Sequence, residues 1–237
     1  LKPGISVRPL GDDIWSVDPD GASQLVYDKH ARLYDRLIGN RLYNRLVWGT
    51  SPHSYARFAN AALRSGSGTL LDAGCGSLVS TVHKHIESRR RSILCDLSEG
   101  MLRAARNRLI ASAGGVPGNL VLLQADLNAL PFRSESFGSV LCPGMLHIFE
   151  DVGAVTKELA RVSAPGANIF MSSLVAERWI GRNYLALLHR AGEVAAPRHR
   201  QGLLDRLNAP RSGLRTPMRA VSEGSMLFVT AEAARYP

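Results

Sequence analysis

The run Asp72-Ala73-Gly74-Cys75-Gly76 sets a carboxylate just before two glycines spaced G-x-G. Glycine tolerates positive φ and carries no Cβ, so a chain can turn there off a strand and let a ligand approach its backbone. A second carboxylate, Asp96, follows about twenty residues on, the distance at which a nucleotide-binding α/β unit places an acid on a ribose. Two ligands compete for such a pair, a dinucleotide and S-adenosylmethionine. The dinucleotide fingerprint needs a third glycine, and Val79 stands at its position. A pyrophosphate also favours a helix N-terminus with little negative charge nearby, whereas Asp72 sits beside the first glycine. A ligand with a positive charge suits that carboxylate better. His147 is the candidate for proton chemistry, because an imidazole is mostly unprotonated near neutrality and can accept a proton.

Short apolar runs at about 69–72, 91–95, 119–124, 137–142 and 168–173 alternate with helical patterns. That alternation marks a parallel sheet with crossover helices. Upstream, Tyr34, Leu37, Ile38, Leu42 and Leu46 fall near helical spacing, and Pro52 opens a further helix to about Leu63. Residues 1–24 carry Pro, Gly and Asp with little period and are expected to be loosely ordered. Downstream, a helix through Arg190 is followed by a polar stretch rich in Pro and Arg. Two last runs, Leu214–Val221 and Ser225–Ala231, flank Glu223-Gly224, which reads as a tight hairpin turn. So short a turn cannot lead to a parallel neighbour, so the last strand is expected to be antiparallel. The expected fold is α/β, a seven-stranded, mostly parallel sheet with helices on both faces and a C-terminal hairpin. Residues 1–65 are expected as an N-terminal helical extension and 66–237 as the main domain.

Several segments in order carry a family resemblance: Leu70–Gly76, Cys95-Asp96-Leu97-Ser98-Glu99-Gly100-Met101-Leu102, and Gln124-Ala125-Asp126-Leu127 before Leu130-Pro131-Phe132. Ser136–Val140, Leu146–Asp151 and Glu158–Gly166 continue the series. Together they resemble the class I S-adenosylmethionine-dependent methyltransferases, in particular the small-molecule group that includes the quinone C-methyltransferases. The resemblance implies a Rossmann-like fold and S-adenosylmethionine as cofactor. It implies that Gly74, Cys75 and Gly76 form the cofactor turn and that Asp72 serves the amino-acid end. Asp96 would accept both ribose hydroxyl protons, Asp126 would bond the adenine amine, and the Leu127 N–H would serve a ring nitrogen. Leu97 and Met101 would wall the adenine. His147, just past the fourth strand, would face the transferred methyl as a general base. The upstream segment with Tyr27, Tyr34 and Trp48 would fold over the cofactor as a lid. Ser77-Leu78 departs from the usual Thr/Ser-Gly, which puts a leucine where it would crowd the methionine end.

The loop Cys142-Pro143-Gly144-Met145 lacks the Asn- or Asp-Pro-Pro-aromatic motif of enzymes that methylate base amines, and Cys-Pro is not the Pro-Cys of cytosine C5 enzymes. Nothing resembles the acidic metal triad of catechol-type enzymes. Cys75, Cys95 and Cys142 lack metal-ligand spacing and are expected as buried thiols. A metal-independent enzyme acting on a small-molecule acceptor is the leading class. The alternatives are an RNA methyltransferase and a cofactor-binding protein with altered chemistry. A net charge of +9 and a pI near 10.0 favour RNA, but the arginines are spread along the chain. Arg89-Arg90-Arg91 reads as the solvated end of a helix. No apolar run spans a bilayer and no signal peptide is visible, so the cytoplasm is expected.

Overall fold

The computed structural model describes residues 1–11, 13–17 and 44–234. Tyr27, Tyr34 and most of the expected N-terminal helix lie outside them. Among the described residues, nine strands form one sheet in the order β1-β2-β5-β4-β3-β6-β7-β9-β8. The central strands are β3 (Leu70–Ala73), β4 (Ser92–Asp96), β5 (Leu120–Gln124), β6 (Phe137–Cys142) and β7 (Ser163–Leu174), each parallel to its neighbours in this group. β8 (Leu214–Glu223) and β9 (Met226–Ala233) form the expected hairpin, and β9 runs antiparallel to β7.

Two strands go beyond the seven expected. β1 (Arg8–Gly11) and β2 (Ile14–Ser16) come from residues expected to be loosely ordered, and β2 pairs in parallel with β5. Ile14 is buried in the core and the Ser16 hydroxyl donates to Gln124 Oε1 at 2.8 Å. Three residues are too few to show a period of two, so this strand is fixed by its tertiary partner.

Alternation along the strands sorts side chains to two faces. On one, Leu70, Leu141 and Phe170 pack with Ala59, Ala62 and Leu63 of α1 (Pro52–Arg64). Leu94 and Leu122 pack there with Val82 of α2 (Val82–Ser88) and with Leu102 and Leu109 of α3 (Glu99–Ala113). On the other, Leu71, Val140, Ile169 and Met171 meet Val155 and Leu159 of α4 (Val152–Val162) and Leu203 and Leu207 of α6 (Arg200–Asn208). Each fully buried Leu or Ile contributes about 1.5–3 kcal/mol. Between β7 and α6, α5 (Trp179–Arg190) packs on Trp48, Leu174 and Phe228.

Helix starts follow side-chain chemistry. Ser51 caps α1, with Pro52 at its first turn, and Ser98 caps α3 by accepting the Met101 N–H at 3.1 Å. Arg90 departs from the expected solvated role. Its guanidinium is half-buried and donates to the carbonyls of Ala62, Leu63, Ser65 and Gly68. It thus satisfies carbonyls that the end of α1 leaves without helical partners.

Candidate active site

β3 is where the sheet order reverses, with β4 on one side and β6 on the other. In open α/β sheets the crevice at such a switch point, outside the carboxyl ends of the strands, is the ligand site. The loops after β3, β4, β5 and β6 converge there. Gly74 and Cys75 donate their N–H groups to the Cys95 carbonyl at 2.7 and 3.0 Å, and Ala125 N–H donates to the Asp96 carbonyl at 3.1 Å. Gly74 and Gly76 adopt φ +78° and +54°, the left-handed region glycine enters without strain.

Leu78 also has positive φ, +58°, at a cost of roughly 1–2 kcal/mol for a residue with a Cβ. Its carbonyl accepts the N–H groups of Thr81 and Val82, both at 3.0 Å, and so starts α2. Its side chain is buried among Ile14, Val82, Leu94 and Leu102. The leucine is therefore a core residue below the turn, and the expected crowding of the methionine end does not follow from it.

Asp96 ends β4. Its Oδ2 accepts the Gly76 N–H at 2.8 Å and its Oδ1 the Ser98 N–H at 2.9 Å, so the carboxylate ties the glycine turn to the start of α3. Burial pushes its pKa up to about 6 despite those two donors, and the nearby Asp72 adds to the rise. Asp72 is wholly buried on β3, on the face covered by α2. Its Oδ2 lies 2.8 Å from Nε2 of His85, an equally buried α2 residue that sequence reasoning missed. Asp72 Oδ1 and His85 Nδ1 have no hydrogen-bond partner among the described residues.

The remaining sequence candidates are placed unevenly. Cys75 is buried in the turn, and burial pushes its thiol well above the ordinary range, as it does for Cys95 and Cys142. Leu97 and Met101 are half-buried at the start of α3. Asp126 is exposed; its Oδ1 accepts from the backbone and side-chain N–H of Asn128, capping the turn Leu127–Ala129. The Leu127 side chain is in the core.

From β6, Met145 reaches across the crevice. A Cβ on Gly74 would lie 2.6 to 2.8 Å from its Cγ, Sδ and Cε atoms, so the thioether rests directly on the glycine. His147 turns the other way, toward the end of β7. Its Nδ1 accepts the Leu174 N–H at 3.4 Å, which leaves Nε2 to carry the proton. It lines a small cavity with Ser173, Leu174, Leu185, Pro197 and Arg198, with room for roughly one water. Burial and the Arg198 guanidinium push its pKa down to about 4. Trp48, expected in the lid, is buried and stands edge-to-face on Tyr184 of α5 with ring centroids 5.4 Å apart.

These residues fit S-adenosylmethionine in kind. Asp72 Oδ1 is an acceptor with no partner among the described residues, as an ammonium requires; Asp96 is a carboxylate, the group a diol requires; and a Cβ on Gly76 would meet nothing within 4 Å, which leaves that backbone approachable. Residues 71–171 match the family model described as a methyltransferase domain. The demethylmenaquinone methyltransferase of Mycobacterium marinum is 30% identical over 145 residues, which cover 61% of this chain and 55% of that protein. The chain thus spans about half the length of the curated relatives it matches. Among solved structures, geranyl diphosphate C-methyltransferase from Streptomyces coelicolor, in complex with S-adenosyl-L-homocysteine, aligns with a TM-score of 0.60 at 16% identity, covering 78% of this chain and 76% of that one. The [4+2]-cyclase SpnF aligns with a TM-score of 0.68 at 14% identity over 98% of both chains.

Proposed function

We propose that this chain, which carries a methyltransferase domain over residues 71–171, moves the methyl group of S-adenosylmethionine to a small-molecule acceptor without a metal ion. The observation that carries the reading is the meeting of a glycine turn, Asp96 and an orphaned Asp72 oxygen at the switch point of the sheet. Bound there, the cofactor supplies an already activated methyl on a sulfonium. The chain's work is to bind, orient and exclude water. Asp96 holds the ribose hydroxyls and Asp72 the ammonium. Gly74, Cys75 and Gly76 form the cofactor turn, with the ligand approaching the open backbone at Gly76 and Met145 moving off Gly74 to receive it, and Leu97 and Met101 wall the adenine. Asp126 and the Leu127 N–H serve its edge. The acceptor lies between the loop after β6 and α5. His147 is the catalytic candidate there. With Nδ1 accepting the Leu174 N–H it offers Nε2–H, so it donates to an acceptor oxygen; taking a proton would require the other tautomer.

The relatives named for demethylmenaquinone and for quinone biosynthesis make quinols the first acceptors to try. Three free, buried thiols support a reducing compartment, the cytoplasm. Among the described residues no helix is long and apolar enough to cross a membrane. Incubation with methyl-labelled S-adenosylmethionine and a panel of quinols, phenols and RNA should label a small molecule and leave RNA unlabelled. Label in RNA alone would replace the small-molecule reading. A second reading, cofactor binding with altered chemistry, is favoured by the seat of Met145 on Gly74. The [4+2]-cyclase SpnF shares the fold, and fold does not fix the reaction. Tight binding of cofactor and demethylated product, with no methyl moved to any acceptor, would select it.

A further inference from the structure

His85 has no part in the chemistry described above, yet among the described residues it is the one side chain bonded to the Asp72 carboxylate. Both side chains are 0% exposed, 2.8 Å apart, and each keeps one polar atom without a partner among the described residues. A carboxylate buried with no donor would cost several kcal/mol and would take up a proton instead. Two arrangements of the pair answer that cost. An imidazolium would cancel the carboxylate's charge and bury an unpaired N–H at Nδ1, an expensive group to leave unmade. A neutral imidazole with its proton on Nε2 donates to Oδ2, leaves only a lone pair at Nδ1, and keeps the full negative charge on Asp72. Asp96 lies within electrostatic reach of Asp72, while burial keeps the thiols of Cys75, Cys95 and Cys142 protonated and uncharged. The helices packed on α2 spend cations elsewhere: Arg57 of α1 pairs with Glu223, and Arg103 of α3 with Glu99.

We propose that His85 is a positioning residue of the cofactor site. Its imidazole, donating from Nε2 to Oδ2, holds the Asp72 carboxylate in one orientation, so that Oδ1 is presented to the ammonium at the methionine end of S-adenosylmethionine. The inference rests on the cofactor reading above. It follows from the register of the fold: Asp72 alternates onto the sheet face that α2 covers, and α2 starts from the glycine turn itself, so the turn and the carboxylate's holder are built as one unit.

Two ligands that differ at one end separate this role from a structural one. S-adenosylhomocysteine carries the ammonium; 5′-methylthioadenosine lacks the amino-acid end. Both are titrated calorimetrically into the whole chain and into His85→Ala, His85→Gln and Asp72→Asn, with folding checked by circular dichroism. His85→Ala and Asp72→Asn should bind S-adenosylhomocysteine about tenfold or more weakly, with 5′-methylthioadenosine changed by less than about twofold, since charge-assisted bonds to one end are lost. His85→Gln, which keeps a donor at the reach of Nε2, should recover most of the affinity. If His85→Ala fails to fold, the contrast between His85→Gln and Asp72→Asn carries the test. Equal losses for both ligands, or unchanged affinity for S-adenosylhomocysteine in folded variants, would overturn the positioning role alone. Wild-type protein that binds neither ligand would overturn the cofactor reading, and this inference with it.

Discussion

Asp96 is asked to do two things at once. It holds the glycine turn through Gly76 and Ser98, and in the proposed function it also receives a ribose diol. Its raised pKa, about 6, gives the second task a pH dependence. The ordinary value is 3.8, so the folded chain binds this proton more tightly than the unfolded one. Asp96 therefore favours folding most below about pH 4, and that contribution declines as pH rises toward 6. Ligand binding runs the other way, because only the carboxylate accepts from both hydroxyls. Affinity for S-adenosylhomocysteine should be flat above about pH 7 and fall as the pH drops below 6. Titrations from pH 5 to 8 that show no fall would remove the ribose role. At His147 the ordinary pKa would give a rate rising through pH 6.5, whereas burial moves the step down to about 4. Turnover should show no histidine step between pH 5.5 and 8. His147→Gln, which keeps a donor, should stay within about threefold of the parent, and His147→Ala should lose about tenfold. A loss of roughly 10²-fold or more in both would instead identify a general base.

At the scale of elements, most of the scaffold was legible because buried parallel strands read as continuous apolar runs. β3 to β7 fall where Leu70, Leu94, Leu122, Val140 and Ile169 mark them. The hairpin was legible from Glu223-Gly224. What escaped has physical reasons. β2 offers only Ile14-Trp15-Ser16, and α6 buries just Leu203 and Leu207 along nine polar-rich residues. In the site, the glycine turn and the two acids could be found from spacing. His85 could not, because thirteen residues separate it from Asp72 and no spacing tells which helix face will meet which strand face. Arg90 escaped because an arginine in a basic triplet looks solvated until its carbonyl partners are in view. That residue makes a direct prediction. Arg90→Ala should lower stability by about 2 kcal/mol or more, since charge-assisted bonds to several carbonyls are lost. Urea unfolding with an unchanged midpoint would show those bonds to be dispensable.

Across the whole molecule, the +9 charge is distributed and partly consumed by structure. Arg90 closes α1, Arg161 pairs with Glu158 and bonds the Leu130 and Phe132 carbonyls, and Arg57 pairs with Glu223. A charge so distributed predicts only weak, sequence-independent attraction to polyanions. RNA binding measured by anisotropy should be detectable only at low salt and gone by about 150 mM, as expected when few phosphates are neutralised together. Retention at that salt would restore the RNA reading. The sheet order, the crevice and the acids all bear on one claim, that the turn after β3 and the acid after β4 hold S-adenosylmethionine. Calorimetric titration of S-adenosylhomocysteine into the whole chain and into Asp96→Ala tests it most directly. The account predicts saturable one-site binding to the parent and a loss of ~2 kcal/mol or more in the folded variant, from removed charge-assisted bonds. No heat of binding with the parent, or equal affinity in the two proteins, would contradict it.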